Sequence, residues 1–239
     1  MNFEFNTKEF IPVNQIDFET INYQRIVTKV KAVDEMTGGG FAPGTVFTLS
    51  GAPGTGKTTF LLQVCQALGE QGYTVGYASG EESVTQLANT CNRIDAKNIY
   101  ISNETDIDML VKYTEQFNFL IIDSFAAVTS SVVRQKQHEK YCIDELCKAA
   151  KKTNCIVGIV LQVLKSGRYK GSTLIPHSVD LNFEIRIDDE KLQPAAQTII
   201  FKTTKNRFGP CAERTSAIMG CGHRWDCDWE NYGPFKHRK

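Results

Sequence analysis

The sequence predicts an α/β fold: a mainly parallel central sheet flanked by helices, extended at its C-terminal end by antiparallel strands. Three observations carry this expectation. Between residues 46 and 161, short apolar runs rich in β-branched residues alternate with stretches of helical spacing, the pattern of βαβ units. A glycine-rich loop stands between the first of those runs and the helix that follows it. From residue 178 onward the pattern changes to strands separated by turns. The 239 residues suffice for one α/β domain with a sizeable core.

Taken in order, residues 1–25 mix polar and aromatic side chains without a clear period and read as an N-terminal extension, a candidate subunit contact. Residues 30–36 fit a short helix that runs into GGG at 38–40 and a turn at Pro43 and Gly44. VFTLS at 46–50 is a strand. Residues 59–70 are a helix, with Leu61, Leu62, Val64, Cys65 and Leu68 at helical spacing and Gly72 as its stop. TVGYA at 74–78 is the next strand, and 81–93 a helix. Residues 98–101 fit a strand and 107–116 a helix. FLII at 119–122 is a fully apolar strand that ends at Asp123. A long amphipathic helix over 139–153 precedes CIVGIVL at 155–161, another buried strand. Strands at 181–187, 198–203 and 215–219 form the closing meander, with a Gly-Pro turn between the last two.

Composition narrows the function classes. Hydrophobic residues make up 41% and charged residues 23%, ordinary values for a water-soluble globular chain. Lys+Arg and Asp+Glu both number 27, so any contact with nucleic acid must come from a local basic patch and not from a global field. No apolar run approaches the ~20 residues that span a bilayer. The first residues, MNFEFN, have neither a basic region nor an apolar one, so a cytoplasmic location is expected. Eight cysteines are scattered through the predicted elements and read mostly as reduced, small apolar residues.

GAPGTGKT at 51–58 matches the phosphate-binding loop pattern G-x-x-x-x-G-K-T in full, and it sits between a strand and a helix as the mechanism requires. Glycines let backbone N–H groups curl around phosphate oxygens, and the following helix aims the positive end of its dipole at the anion. Gly51, Pro53, Gly54, Thr55, Gly56, Lys57, Thr58 and Thr59 are therefore the candidate nucleotide contacts. Lys57 would reach the β- and γ-phosphates, and the Thr58 hydroxyl would bind Mg²⁺. Asp123 closes an apolar strand and fits the carboxylate that holds Mg²⁺ through water; the alternative is an N-cap for the next segment. Glu81 follows the strand at 74–78 and fits a base that polarises water. Glu82 competes for that role, and either carboxylate equally fits a helix-start charge.

Together these motifs resemble the RecA-type ATPase core, most closely the RadA/Sms recombination ATPases. The resemblance covers about 26–220, leaving 221–239 as a tail. It runs through VDEMTGGGFAPG at 33–44, the phosphate loop, YASGEES at 77–83, LIIDS at 120–124, HSVD at 177–180 and KNRFG at 205–209. It implies that Glu81, rather than Glu82, is the catalytic glutamate. It implies a γ-phosphate sensor at Gln162, where RecA-like proteins place a polar residue and RadA-like proteins a different one. Lys205 and Arg207 resemble the Lys-x-Arg pair that hexameric helicases of the DnaB type insert into a neighbour's ATP site; the bland alternative is a solvated basic turn. ATP and Mg²⁺ are the implied cofactors, and a hexameric ring or filament with ATP at the subunit interface the implied assembly.

In RecA-like proteins two loops hold single-stranded DNA, and by position these are 128–139 and 163–175 here. Their composition alone favours solvated surface loops. The resemblance turns Arg134, Lys136, Lys165, Arg168, Tyr169 and Lys170 into candidate DNA contacts, by phosphate attraction and, at Tyr169, base stacking. Cys211, Cys221, His223 and Cys227 lack a C-x-x-C knuckle and read as thiols and an imidazole of a C-terminal hairpin rather than as a zinc site. The sequence shows no four-cysteine zinc finger before the core and no Lon-protease-like domain after it. A minimal bacteriophage-type version, acting in the host cytoplasm, is therefore the expectation. The resulting function is an ATP-driven DNA-binding protein of recombination, repair or replication, a helicase or branch-migration motor among the options, with replication or recombination proteins as further partners. The alternative is a KaiC-like regulatory ATPase that acts on protein partners.

Overall fold

Long apolar runs such as FLII and IVGIVL are legible as strands because a parallel sheet covered on both faces buries every residue of its strands. The structure, a computed structural model, describes residues 11–17, 24–133, 137–163, 174–187, 196–211 and 213–219. Its strands are β1 (Val46–Gly51), β2 (Val75–Ser79), β3 (Tyr100–Ser102), β4 (Phe119–Asp123), β5 (Ile156–Gln162), β6 (Leu181–Ile187), β7 (Ala196–Asn206) and β8 (Glu213–Met219). The helices are α1 (Lys31–Thr37), α2 (Lys57–Gly69), α3 (Val84–Arg93), α4 (Ile107–Tyr113), α5 (His138–Thr153) and α6 (Leu174–Ser178).

One eight-stranded sheet runs in the order β3-β2-β4-β5-β1-β6-β7-β8. It is parallel from β3 to β6 and antiparallel from β6 to β8, as the sequence predicts. Successive strand residues point to opposite faces, so two apolar layers form. Phe119 and Ile121 join the layer under α1, α2 and α3, where Phe41, Phe47, Phe119 and Phe183 pack ring against ring. Leu120 and Ile122 join the layer under α4 and α5, with Leu110, Ile143 and Leu146. Cys65, Cys91, Cys142 and Cys155 are buried in these layers as free thiols. Among the described residues, no helix is long and apolar enough to cross a membrane.

Several predicted boundaries move. The helix expected from 81 starts at Val84, because Ser83 and Gln86 form a reciprocal capping box. The Ser83 hydroxyl accepts from the Gln86 N–H at 3.3 Å, and the Gln86 side chain accepts from the Ser83 N–H at 2.8 Å. That box leaves Glu81 and Glu82 on a turn ahead of the helix. The helix over 107–116 ends at Tyr113, where bonds to the third residue back tighten the chain into turns, as from Thr114 N–H to the Val111 carbonyl at 3.2 Å. The strand at 198–203 grows to Ala196–Asn206, since β6 and β8 pair it on both sides. Helix α6 starts inside the segment expected to be loop at 163–175.

Candidate functional site

Parallel strands bring their carboxyl ends to one edge, and ligands of open α/β sheets gather there. Register places Gly51 beside Gln162 and Ser79 beside Asp123. The ends of β1, β2, β4 and β5 thus converge, and the loops leaving them carry the 51–58 segment, Glu81, Asp123 and Gln162.

The loop after β1 depends on glycine in two ways. A Cβ at Gly51 would come within 2.5 Å of the Ile185 carbonyl oxygen on the neighbouring strand. Gly54 and Gly56 adopt φ of 80° and 81°, where a side chain is strained, and the space beside Gly54 is open. Gly56 is the N-cap of α2, with no side-chain cap and no acidic residue in the first turn, so the first N–H groups of the helix face outward as anion donors. Thr55 is buried and its hydroxyl donates to the Ala52 carbonyl at 2.9 Å, bracing the loop. Ala52, Pro53 and Gly54 are exposed, and Thr59 is half-buried in the first turn of α2. These features fit a phosphate cradle. The Lys57 ammonium folds back on the loop, donating to the carbonyls of Gly51 at 2.8 Å and Ala52 at 2.9 Å. Burial lowers its pKa, opposed by the carboxylates of Asp123 and Glu81.

Asp123 is buried at the end of β4. Its Oδ2 accepts from the Thr58 hydroxyl at 3.0 Å and from the Tyr77 phenol at 2.6 Å. Burial raises the Asp123 pKa; the hydrogen bonds from Tyr77 and Thr58 oppose that rise, Glu81 adds to it and Lys57 opposes it. A hydroxyl and a carboxylate at this spacing form a hard oxygen donor set that fits Mg²⁺. The peptide between Asp123 and Ser124 is cis. Glu81 is exposed at the mouth of the site, and its Oε1 accepts from the Ser124 hydroxyl and from Gln162 Nε2, the latter at 2.7 Å. The turn that carries Glu81 is pinned by the Ser79 hydroxyl, which accepts from the N–H groups of Glu81 and Glu82, and by Asn103, whose amide donates to the carbonyls of Ser79 and Glu82. Glu82 is half-buried, and burial, followed by the nearby Asp123 and Glu81, raises its pKa.

Lys205 and Arg207 lie at the opposite edge. Lys205 pairs with Asn182, which pairs with Thr48, three residues before Gly51. Arg207 binds Asp180 at 2.8 Å, and the same buried carboxylate accepts from the Val46 N–H at 3.0 Å, at the start of β1. At ~3.3 Å per residue, Arg207 thus stands roughly 16 Å along the sheet from its own phosphate loop. The Lys205 ammonium donates to the carbonyls of His177 at 2.7 Å and Pro176 at 3.2 Å. Burial lowers its pKa, and the neighbouring Arg207 lowers it further. The turn after β7 is clamped by Arg25, whose guanidinium donates to the carbonyls of Thr37, Gly40 and Phe208. The structure therefore gathers Lys57, Thr58, Glu81, Asp123 and Gln162 and keeps Lys205 and Arg207 apart from them.

Sequence reasoning gave no role to Tyr77, Ser124, Asn103, Arg25 or Asp180. Tyr77 and Ser124 fall within the YASGEES and LIIDS segments, and their partners arise only when β2 and β4 align. Of the candidate DNA contacts, Arg134, Lys136, Lys165, Arg168, Tyr169 and Lys170 lie outside the described residues. So do Cys221, His223 and Cys227, while Cys211 is an exposed free thiol.

The family model "ATPase: KaiC" matches residues 26–175, a span that includes the whole carboxyl-edge site. The chain belongs to the KaiC-type ATPase family. As a KaiC-type ATPase it is an ATP-hydrolysing enzyme with a RecA-like core. It is 33% identical over 213 residues to the DNA repair protein RadA of Chlamydia muridarum, an alignment covering 85% of this chain and 45% of that protein. It is 34% identical over 210 residues to RadA of Streptococcus pyogenes, covering 84% and 45%. The KaiC-type chain thus spans a little under half the length of these curated relatives. Among solved structures, the ATPase domain of G40P superposes with a TM-score of 0.69 at 15% identity, covering 82% of this chain and 89% of that one, a likeness of fold.

Proposed function

We propose that this ATPase couples ATP hydrolysis to single-stranded DNA in recombination, repair or replication, with its nucleotide site completed by a neighbouring copy. The observation that carries the proposal is the separation of two edges within one chain. Phosphate-loop and carboxylate groups stand at one edge, and the cations Lys205 and Arg207 stand at the other. Head-to-tail assembly brings unlike edges together, and such contacts close into rings or extend as filaments. The similarity to the DNA repair protein RadA supports the DNA role.

In this reading the loop at 51–58 and Lys57 hold the phosphates of ATP, and Thr58 and Asp123 hold Mg²⁺. The metal, when bound, neutralises charge on the phosphate oxygens. Glu81, with Oε1 held by Ser124 and Gln162, leaves Oε2 to accept the proton of an attacking water. Gln162 is the last residue of β5, and the candidate DNA loop at 163–175 follows it directly in sequence. Lys205 and Arg207 of one copy offset charge that develops at the next copy's γ-phosphate.

Two measurements test this reading. Single-stranded oligonucleotide should bind at low salt and raise the ATPase rate. Arg168→Ala and Lys170→Ala should each weaken binding uniformly across sequences and flatten its salt dependence by about one counterion. Absence of both DNA binding and stimulation would sink the proposal. The family match to KaiC favours one rival, an ATPase that acts on protein partners; it predicts protein capture with no oligonucleotide effect.

A further inference from the structure

A buried phenol aimed at a carboxylate needs a reason, because a tyrosine hydroxyl deep in a sheet costs stability unless it is bonded. Tyr77 is 1% exposed, in the middle of β2. Its ring joins the apolar layer under α2, beside Leu61 and Cys65. Its hydroxyl crosses to the next strand and donates to Asp123 Oδ2 at 2.6 Å, a short bond of the charge-assisted kind. The Thr58 hydroxyl donates to that same oxygen at 3.0 Å. Two donors on Oδ2 fix the rotation of the carboxylate and leave Oδ1 for a further partner.

We propose that Tyr77 is the positioning residue of the metal half of the site: its phenol locks the Asp123 carboxylate in the orientation that serves a divalent cation shared with Thr58. This rests on the reading of Asp123 as a metal-holding group. Ligating carboxylates are held by outer partners, and loss of such a partner typically weakens metal binding or activity 10–100-fold. Deleting the phenol would leave the Thr58 hydroxyl as the one remaining side-chain donor on Oδ2 among the described residues, so the carboxylate would be free to turn away from the cation.

The test is Tyr77→Phe, which keeps the ring in the core and deletes only the hydroxyl. The probe is Mn²⁺, followed by its electron paramagnetic resonance signal in the full-length protein with ADP present. ADP binding in EDTA and the thermal midpoint serve as folding controls. The expected result is an Mn²⁺ affinity weakened about tenfold, with ADP binding in EDTA unchanged. Asp123→Asn is run beside it. If Asp123→Asn loses Mn²⁺ and Tyr77→Phe binds it as the parent does, the role of Tyr77 is overturned while that of Asp123 stands. If Asp123→Asn itself binds Mn²⁺ as the parent does, the reading of Asp123 fails and the role of Tyr77 fails with it. A Tyr77→Phe protein that loses ADP binding in EDTA together with its thermal midpoint assigns the tyrosine to the core and overturns the proposal.

Discussion

The two edges of the central sheet are built by different means. At the carboxyl edge, four parallel strands end in register, and the polar groups they carry bond to one another: Thr58 and Tyr77 to Asp123, Ser124 and Gln162 to Glu81. At the opposite edge, the basic groups are held by pieces distant in sequence. Asp180 holds Arg207, the end of α6 holds Lys205, and Arg25 ties the turn after β7 to the end of α1. One edge has its carboxylates and its lysine in mutual reach. The other has Arg207 set roughly 16 Å along the sheet from the phosphate loop of the same chain. A cation at that distance is beyond hydrogen-bond reach of a phosphate held by its own loop. Under the proposed head-to-tail assembly, each edge supplies one half of a shared site.

Arg207→Ala strikes the comparison hardest. A cation that neutralises transition-state charge in trans is worth about 10³-fold or more in turnover, so ATPase activity should fall by that order while ATP binding persists. Mixing Arg207→Ala with Lys57→Ala subunits should restore activity, because about a quarter of interfaces in a random assembly then join an intact phosphate loop to an intact arginine. No recovery on mixing would mean that the two edges do not meet. Glu81→Gln should follow, with a loss of about 10²-fold in turnover and little change in ATP affinity. Glu82→Gln, placed on the same turn with its side chain half-buried, should change the rate only a few-fold; equal losses would undo the distinction between them. Asp180→Asn should have the smallest effect. It keeps an acceptor for the Val46 N–H but takes the charge from Arg207, so turnover should drop severalfold with a modest fall in thermal midpoint.

Local signals made most of the carboxyl edge legible. The loop at 51–58 is contiguous, and its residue types have one mechanical reading. Asp123 was visible because a fully apolar strand stops on it. Resemblance alone separates Glu81 from Glu82 in the sequence; in the structure the capping box at Ser83 leaves both on a turn, and Glu81 bonds to Ser124 and Gln162. Tyr77 was not legible as a site residue. In a buried strand of VGYAS a tyrosine reads as core, and its partner lies 46 residues away. Asp180 and Arg25 escaped for the same reason, their partners being set by pairing across the sheet and by the turn after β7.

The α/β alternation, the antiparallel close of the sheet and the phosphate loop are encoded locally, because each is written in residues adjacent along the chain or spaced by one helical or strand period. Strand order, and with it which carboxylate meets which hydroxyl, arises from long-range pairing in the folded chain. That pairing also sets the side of the sheet on which Lys205 and Arg207 come to rest. Those outcomes depend on hydrogen-bonded pairing between segments tens to more than a hundred residues apart, and no local pattern encodes which strands will be neighbours.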